Sequence, residues 1–363
     1  MPFIKPQIYL DLSDIIDNWN SIMPDLKKTY ILGIESSCDD TSAAVFCDNK
    51  VLSNIVATQD VHKKYGGVVP ELASRAHQQH IVPVVDQALK IAGITKEMLS
   101  AIAFTRGPGL MGSLLVGSSF AKSLSLGLDI PLIEVNHMQA HLLVHFIADT
   151  HTRPPEFPFL GVTISGGHTQ IVKVKSYFDM EVLGETLDDA IGEAFDKCGK
   201  MFNLPYPAGP EIDKISKHGD PSTFKFAKPK VKGLDFSFSG LKTSVLYFLQ
   251  KQVKENPAFI ENNIEDLCAS FQFRVVDILL SKLEKAVKET GIFQVAIGGG
   301  VSANSGIREA LIKKQTAENW SVFIPKFEFC TDNAAMIGIV GYLKYQNNEF
   351  ADLSSASKAR YTI

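Results

Sequence analysis

The chain has 363 residues, of which 45% are hydrophobic and 21% charged, and its formal net charge at pH 7 is −4. This length and composition indicate a globular protein with room for two lobes. The charge excludes a general basic field, so any contact with nucleic acid requires a local patch or a partner subunit. No apolar run approaches the ~18 residues of a membrane span, so we expect no association with a membrane.

Cysteine usage and the first residues bear on the cellular compartment. The five cysteines are scattered, with no Cys-x-x-Cys pair: Cys38, Cys47, Cys198, Cys268 and Cys330. This pattern argues against a disulfide framework and a thiolate zinc site, and it indicates a reducing cytoplasm. Residues 1–28 show no targeting pattern. They are compatible with a short helix capped by Ser13, with a loosely ordered extension, or with a protein whose true first residue is Met23.

Two hairpins with small polar turns organise the chain. The first spans 30–46, and its tip, 35–42, carries hydroxyls and carboxylates that suit phosphate and cation binding, although Ser and Asp also favour ordinary turns. The second spans 160–174 around a Ser-Gly-Gly-His-Thr turn at 165–169, whose glycines let a phosphate or acyl group approach the backbone. Their recurrence predicts a duplicated architecture of two lobes with a cleft between them.

A pair of histidines makes a metal site worth considering. His137 and His141 fall on one face of a predicted helix, so both can point at a single ion. Met138 stands where a zinc peptidase needs Glu as its general base, and Gln139 cannot replace that base. For the pair alone, structural and surface roles are as reasonable as ligation. Asp332 precedes a small-residue helix, and it either caps that helix or completes a two-His, one-carboxylate site suited to Fe(II) or Zn(II).

Four further segments allow a ligand contact or a structural role. Residues 184–197 predict a helix with an acidic first turn, and Asp196 at its far end opposes the helix dipole, which favours a ligand contact there. The Pro/Gly run 204–210 predicts a rigid, exposed loop. Residues 222–242 interleave Phe with Lys, a mix that fits RNA stacking and phosphate contacts, or a strand with Phe inward. The strand and glycine run of 294–304 predict a backbone placed against a nucleotide.

Six motifs carry a resemblance to a known family. They are Gly-Ile-Glu-Ser-Ser-Cys-Asp-Asp-Thr at 33–41, His137-x-x-x-His141, Ser-Gly-Gly-His-Thr at 165–169, Gly-Glu-Ala-Phe-Asp-Lys at 192–197, Gly-Gly-Gly-Val-Ser-Ala-Asn at 298–304 and Asp-Asn-Ala-Ala-Met at 332–336. In this order they resemble the bacterial tRNA N(6)-adenosine threonylcarbamoyltransferase catalytic subunits, a family once labelled as a metallopeptidase. The resemblance runs from about Lys28 to the last residue.

The resemblance implies an actin-like, sugar-kinase-like α/β fold, related to ribonuclease H, with duplicated mixed sheets flanked by helices. It implies a first lobe of residues 29–140 plus 325–363, a second lobe of residues 141–324 and an active site in the cleft between them. Residues 1–28 would form an N-terminal extension outside this core.

The resemblance also implies an activity, a cofactor and partners. The enzyme would transfer a threonylcarbamoyl group from L-threonylcarbamoyladenylate to the exocyclic amine of adenosine 37 in tRNAs that read codons beginning with A, and it would release AMP. It would hold one divalent metal per subunit, with Fe²⁺ preferred over Zn²⁺. It would work in the cytoplasm with a paralogous pseudo-enzyme subunit and a small ATPase.

By the same resemblance, residues of this chain take roles in metal binding, substrate binding and catalysis. The metal ligands would be His137, His141 and Asp332, and the substrate-binding residues Thr163, Ile164, Ser165, Gly166, Gly167, Asp196, Gly209, Asp213 and Asn304. Asp39 is the candidate for taking the proton of the attacking amine. Gln139 and Ala208 depart from the Glu and Gly usual in the family, but neither change removes an implied ligand.

Three other functions remain open at this stage. A fold of this kind also serves ATPases and small-molecule kinases, because fold does not determine function. A metallopeptidase is disfavoured by the missing Glu after His137. A non-catalytic binding subunit would keep all activity when His141 is replaced.

Overall fold

The computed structural model describes residues 28–148 and 153–363, so the helix considered at Ser13 lies outside the described residues. The strands are β1 (Tyr30–Glu35), β2 (Asp40–Cys47), β3 (Lys50–Thr58), β4 (Ala101–Gly107), β5 (Leu132–Asn136), β6 (Phe159–Ile164), β7 (Thr169–Val174), β8 (Met180–Glu185), β9 (Gln294–Gly298) and β10 (Ser321–Phe323). The α-helices are α1 (Pro70–Ala92), α2 (Met111–Leu128), α3 (His137–Leu143), α4 (Ile191–Met201), α5 (Ala208–Ile215), α6 (Ser239–Glu255), α7 (Phe259–Asn262), α8 (Ile264–Thr290), α9 (Ser305–Glu318) and α10 (Ala334–Gln346). Among these described residues, no helix has the length and apolar character needed to span a membrane.

The strands form two five-stranded sheets with the same topology. The first has the order β3-β2-β1-β4-β5 and the second the order β10-β9-β6-β7-β8. In each, three consecutive strands form an antiparallel meander, a fourth strand pairs in parallel with the first strand of the meander, and the fifth pairs in parallel with the fourth. The predicted duplication is therefore confirmed. The tip of the first hairpin is shorter than expected, because β2 already begins at Asp40.

The two faces of the first sheet pack against different helices. Alternate residues of a strand point to opposite faces. Leu32 and Ile34 join the apolar cluster that includes α1 and α2, whereas Ile31 joins the cluster that includes α10. Gly33 lies against α10, where an added Cβ would be 2.6 Å from the Ala334 carbonyl oxygen. This close approach brings the start of α10, and the loop before it, over the carboxyl end of β1.

Helix α3 is shared by the cores of both halves of the molecule. Ala140 and Leu143 belong to the cluster under the first sheet. Leu142 packs instead with Phe159 of β6 and Ala296 of β9. The helix that carries the two histidines therefore sits between the sheets, held from both sides. The lobe boundaries of 29–140 plus 325–363 and 141–324 stay predictions.

The predicted helix over 184–197 is wrong in its first half. Residues up to Glu185 complete β8, and α4 begins only at Ile191. Asp188 turns away to another helix, and it accepts hydrogen bonds from the backbone N–H groups of Phe238 (2.8 Å) and Ser239 (3.1 Å) at the start of α6. The first N–H groups of a helix have no partner within the helix, so the Asp188 carboxylate caps the start of α6.

Two other expectations also change. Within the described residues 222–238 there is no strand, and Phe226, Phe236 and Phe238 are buried in the core of the second half. These rings are therefore not available to stack on RNA bases, although the neighbouring lysines are exposed. The expected loop at 204–210 ends early, because α5 begins at Ala208.

Candidate metal centre and transfer site

The two histidines are presented by the first turns of α3. This helix follows β5 directly, and the Asn136 side chain caps it by accepting hydrogen bonds from the N–H groups of Met138 (2.9 Å) and Gln139 (3.3 Å). The rings of His137 and His141 lie 4.7 Å apart between centroids, at 87° to one another. Both side chains are buried, so they point into the molecule and not into solvent.

Asp332 meets the histidines from the other end of the chain. Its Oδ1 lies 3.4 Å from His137 Nε2 and 3.2 Å from His141 Nε2. One ligand atom from each of the three residues falls within 4.8 Å of the others. Asn333, not Asp332, caps α10 by accepting from the N–H of Met336. The alternative of a helix-capping role for Asp332 is therefore wrong.

The loop that carries Asp332 is anchored by α9. Arg308 donates from Nε to the Ser302 carbonyl (2.7 Å) and from Nη2 to the Pro325 carbonyl (2.9 Å) and Cys330 Sγ (3.0 Å). These bonds tie the loop before α10 to the glycine turn after β9. They restrict where the Asp332 carboxylate can point.

The three residues fit a divalent cation. Both ring nitrogens of His141 are buried and have no hydrogen-bond partner among the described residues, although the Asp332 Oδ1 lies 3.2 Å from Nε2. A buried polar atom left unpaired costs about 1–3 kcal/mol, and coordination of a cation would remove that cost. Two imidazoles and one carboxylate suit Fe(II) or Zn(II) and leave positions open for a substrate. His137, His141 and Asp332 therefore form a candidate divalent-metal site.

Glu35 supports His137 from behind. It is fully buried at the end of β1, and its Oε2 lies 3.0 Å from His137 Nδ1 and accepts a 2.6 Å hydrogen bond from the Thr105 hydroxyl. A carboxylate on Nδ1 leaves Nε2 for a metal, which is the usual arrangement of a histidine ligand. Glu35 lies within the first motif of the sequence, but no role was predicted for it. An acid that directly follows a buried strand was the available signal.

Burial and neighbouring charges act in opposite directions on the pKa values of His137 and Asp332. Burial lowers the pKa of His137, but the carboxylates of Glu35 and Asp332 outweigh burial and hold that pKa well above its ordinary value. Burial raises the pKa of Asp332, yet the charge of His137 holds it well below its usual range. Burial lowers the pKa of His141. The two carboxylates therefore favour a proton on His137, and a bound cation would replace that proton.

The turn after β6 is open to a ligand. No atom of the described chain lies within 4 Å of where a Cβ would stand on Gly166 or Gly167. Thr163 Oγ1 is buried and lacks a hydrogen-bond partner among the described residues, and Ser165 closes the turn by donating its N–H to the His168 carbonyl (2.8 Å). Ile164 is buried at the end of β6. The predicted substrate-binding turn thus has the space that such a role requires.

The turn 165–169 lies beside the metal cluster. Burial lowers the pKa of His168, and the charges of His137 and His141 lower it further. The adjacent Gly298 and Gly299 lie against the backbone carbonyls of His141 and Ile164, so this turn and α3 face the same space. His168 received no role from the sequence.

Asp196, Gly209, Asp213 and Asn304 lie around the starts of two helices, α5 and α9. Asp196 lies inside α4 and accepts a 2.8 Å hydrogen bond from the Ala208 N–H at the start of α5. Asp213 accepts from the N–H (3.0 Å) and hydroxyl (2.8 Å) of Ser305. The dipole argument for Asp196 is therefore wrong, because its helix continues to Met201.

Asn304 and Gly209 lie at the starts of α9 and α5. Asn304 caps α9 by accepting from the Ile307 N–H (3.0 Å), and it donates to Gln272 Oε1 (2.7 Å). Gly209 is half-buried in the first turn of α5, and an added Cβ would approach Phe195 at an ordinary 3.8 Å. Helix capping explains these polar side chains by itself, so contact with substrate stays a prediction for them.

The glycine run after β9 is required by packing. An added Cβ on Gly298 would collide with the His141 carbonyl oxygen, and one on Gly299 would lie 2.5 Å from the Ile164 carbonyl oxygen. Gly299 also has a φ of +92°, which side chains rarely tolerate. These two glycines bring the metal helix and the substrate turn together, whereas Gly300 meets no atom closer than 3.9 Å.

Asp39 lies at the tip of the first hairpin, between β1 and β2. Tyr206 stands in the loop before α5, and burial together with the charges of Asp196 and Asp39 raises its pKa to about 12. Next to Asp39, burial and the charges of Asp332 and Asp39 raise the pKa of Asp40 to about 7, and Asp40 Oδ1 is buried without a hydrogen-bond partner in the described chain. Neither Tyr206 nor Asp40 was singled out from the sequence.

Solved structures share this fold at low sequence identity. HypF from T. kodakarensis aligns with a TM-score of 0.59 and 15% identity, over 88% of this chain and 48% of that chain. Component A of (R)-2-hydroxyglutaryl-CoA dehydratase from Acidaminococcus fermentans aligns with a TM-score of 0.50 and 14% identity, over 88% of this chain and 99% of that chain. These likenesses concern the fold alone.

The fold and the site define a two-lobed α/β enzyme of actin-like, sugar-kinase-like architecture with a candidate divalent-metal site between its sheets. Residues 50–339 match the family model described as tRNA N6-adenosine threonylcarbamoyltransferase, TsaD. Relatives with the same name are 67% identical in Christiangramia forsetii, over 92% of this chain and 98% of the relative, and 58% identical in Phocaeicola vulgatus, over 92% and 99%. The chain belongs to this family, and it is an acyltransferase of tRNA modification. The resemblance noted in the sequence is thereby confirmed.

Proposed function

We propose that the enzyme transfers the threonylcarbamoyl group from L-threonylcarbamoyladenylate to the N6 amine of adenosine 37, in tRNAs that read codons beginning with A, and releases AMP. The observation that carries this proposal is the placement of the open turn 165–167, which packs through Gly298 and Gly299 against α3, beside the cluster of His137, His141 and Asp332. An acyl adenylate needs both a backbone that admits its phosphate and charged groups that orient its oxygens.

The donor is held by the turn after β6 in this proposal. Ser165, Gly166 and Gly167 offer backbone N–H groups where no side chain blocks a phosphate or acyl group. Thr163 contributes a buried hydroxyl that has no partner among the described residues. Asp196, Gly209, Asp213 and Asn304 line the adjoining helix ends, and we assign them to the nucleotide and threonyl parts of the donor.

The chemical step is an acyl transfer to a weakly nucleophilic amine. The N6 nitrogen attacks the carbamoyl carbon, the bond from that carbon to the phosphate oxygen breaks, and AMP leaves with the bonding electron pair. A bound cation supplies Lewis acidity that stabilises charge on the donor oxygens. The amine proton must pass to a base, and Asp39 is our first candidate, with the neighbouring Asp40 as the alternative because its buried Oδ1 has no hydrogen-bond partner among the described residues.

We propose Fe²⁺ as the cation and Zn²⁺ as the alternative. Two imidazoles and one carboxylate on one side of the ion are the ligand set of many non-haem Fe(II) sites, and Zn(II) accepts the same donors. Metal analysis of protein purified without oxygen distinguishes the two ions.

The enzyme works with other proteins in this proposal. We infer a paralogous pseudo-enzyme subunit and a small ATPase as partners, and we place the reaction in the cytoplasm. The net charge of −4 supports shared binding of tRNA, because a single acidic chain attracts a polyanion weakly. The scattered free cysteines are consistent with a reducing compartment.

Reconstitution tests the proposal. Metal-loaded protein, with partner subunits supplied, is incubated with synthetic L-threonylcarbamoyladenylate and unmodified tRNA, and nucleoside mass spectrometry measures the product together with AMP. We expect stoichiometric product and AMP, and we expect Asp39→Asn to lose transfer while donor binding survives. Normal turnover by Asp39→Asn together with loss by Asp40→Asn would move the base to Asp40. Phosphorylation of a small metabolite without tRNA modification would instead support a kinase.

A further inference from the structure

The segment that follows α10 runs along the edge of the first sheet. We call residues 351–363 the C-terminal strap. Its Ala351 N–H donates to the Leu132 carbonyl at the start of β5 (2.8 Å), and its Lys358 N–H donates to the Arg106 carbonyl near the end of β4 (2.8 Å). The strap therefore follows β5, the edge strand, toward the end from which α3 departs.

Two further contacts hold the middle of the strap on α2. Lys122 donates from Nζ to the Ser355 carbonyl (2.6 Å), and the hydroxyls of Ser357 and Ser118 lie 3.0 Å apart. At Gly107 an added Cβ would collide with the Lys358 carbonyl oxygen, so the strap approaches the β4 backbone without an intervening side chain. The path of the strap is thus determined over its length.

The last contacts of the strap reach the cap of the metal helix. Asn136 is buried, and its side-chain oxygen caps α3 through Met138 and Gln139. The nitrogen of the same amide donates a 2.9 Å hydrogen bond to the carbonyl of Thr362. Ile363, one residue later, packs on the apolar cluster that contains Leu142 of α3.

The Asn136 side chain therefore bonds both to the start of α3 and to the C-terminal strap. The Asn136 amide can satisfy the helix N–H groups with its oxygen and the strap with its nitrogen only in one orientation. His137 is the first residue of α3, so loss of this cap would loosen the helical turn that carries the first metal ligand. Groups that orient a ligand without touching the ion commonly change metal affinity about 10- to 100-fold.

We infer that the C-terminal strap is a positioning device for the metal centre and that Asn136 is the positioning residue through which it acts. This inference rests on the proposed metal function of His137, His141 and Asp332. A competing explanation is that the strap only covers the edge of the first sheet, as edge strands often require. The two explanations differ in whether metal affinity depends on the bond from Asn136 to Thr362.

The chain offers variants that separate these explanations. Asn136→Asp keeps an oxygen to cap α3 but loses the donor to Thr362. Deletion of residues 362–363 removes the acceptor and leaves the cap. Ser357→Ala is a matched control, since it removes a strap contact that does not involve Asn136.

The experiment measures zinc affinity of the metal-free full chain by competition with a chromophoric chelator. Circular dichroism and thermal midpoints are recorded with and without zinc. We expect Asn136→Asp and the deletion to bind Zn²⁺ about 10- to 100-fold more weakly than the unmodified chain. Their metal-free midpoints should stay near that of the unmodified chain, and Ser357→Ala should bind normally.

Unchanged zinc affinity in both Asn136→Asp and the deletion would overturn the inference. If either variant is less stable than the unmodified chain without metal, the rise of its thermal midpoint on addition of zinc distinguishes the two explanations. A rise equal to that of the unmodified chain would show that the strap has a structural role only. Failure of the unmodified chain itself to bind Zn²⁺ and Fe²⁺ would refute the proposed metal site, and this inference with it, which is a separate result.

Discussion

Glu35 Oε2 lies 3.0 Å from His137 Nδ1, although the two residues are 102 positions apart in the chain. Both side chains are buried, so their electrostatic attraction is weakly screened. The carboxylate sets the orientation of the imidazole and leaves Nε2 directed at Asp332. This contact links the tip of the first hairpin to α3, so the geometry of the candidate metal site depends on both elements.

Glu35→Gln should weaken metal binding. The neutral amide removes the charge that polarises His137, so we expect about 10- to 100-fold lower affinity for Zn²⁺ in chelator competition. Glu134→Gln is the control, because Glu134 is an acid on β5 of the same sheet that pairs with Arg106 and not with a histidine. Equal affinities of Glu35→Gln and the unmodified chain would show that the contact has no role in ligand orientation.

His141→Ala should lose both bound metal and transfer activity. The substitution removes one of only two imidazole ligands in the cluster, and the remaining pair cannot bind an ion tightly. Metal content by mass spectrometry and product formation are the two measurements. His145→Gln, one turn further along, is the control and should retain metal. Full activity of His141→Ala would show that transfer does not need this ligand.

Gly299→Ala should destabilise the protein, whereas Gly166→Ala should impair donor binding. At Gly299 the added methyl group meets the Ile164 carbonyl oxygen at a φ of +92°, and strain of this kind costs about 1–3 kcal/mol. At Gly166 the methyl group enters open space that the donor is proposed to fill. Urea unfolding measures the loss of stability in Gly299→Ala. The KM for the donor measures the loss of donor binding in Gly166→Ala. Gly300→Ala is a control for both, and a stable Gly299→Ala would contradict the packing argument.

His145 should make the protein less stable at mildly acid pH. Its Nε2 lies 2.9 Å from the Ile297 carbonyl oxygen of β9, and burial lowers its pKa to about 4. The unfolded chain has a histidine pKa of about 6.5, so between these values the unfolded state binds more protons. The free energy of unfolding contributed by His145 is therefore complete above pH 6.5 and falls as the pH drops toward 4.

The matched variant for this effect is His145→Gln, which cannot titrate but can still donate to the carbonyl of Ile297. We expect the difference in urea midpoint between the two proteins to shrink between pH 7 and pH 5. A pH-independent difference would show that His145 is not the group responsible. Other buried histidines contribute equally to both proteins and cancel in the comparison.

The sequence alone was sufficient for the architecture and for the residue types of the site. Repeated hairpins predicted the duplicated sheets, because strand and turn preferences act over a few residues. The spacing of His137 and His141 predicted a shared direction for the same reason. Motif order then identified the family, although residues 1–28 lay outside it.

Only the tertiary structure decided which distant residues meet. Glu35, Asp332 and Thr362 reach α3 from three separate parts of the chain, and no local periodicity encodes such contacts. The predicted positions of Asp188 and Asp196 within one helix were wrong because the groups that they bond belong to other helices, and a cap that comes from a distant segment leaves no pattern in the segment itself. Sheet order and close backbone approach, enforced by Gly33 and Gly299, bring these groups together, since side-chain contacts across a core depend on packing and not on sequence spacing.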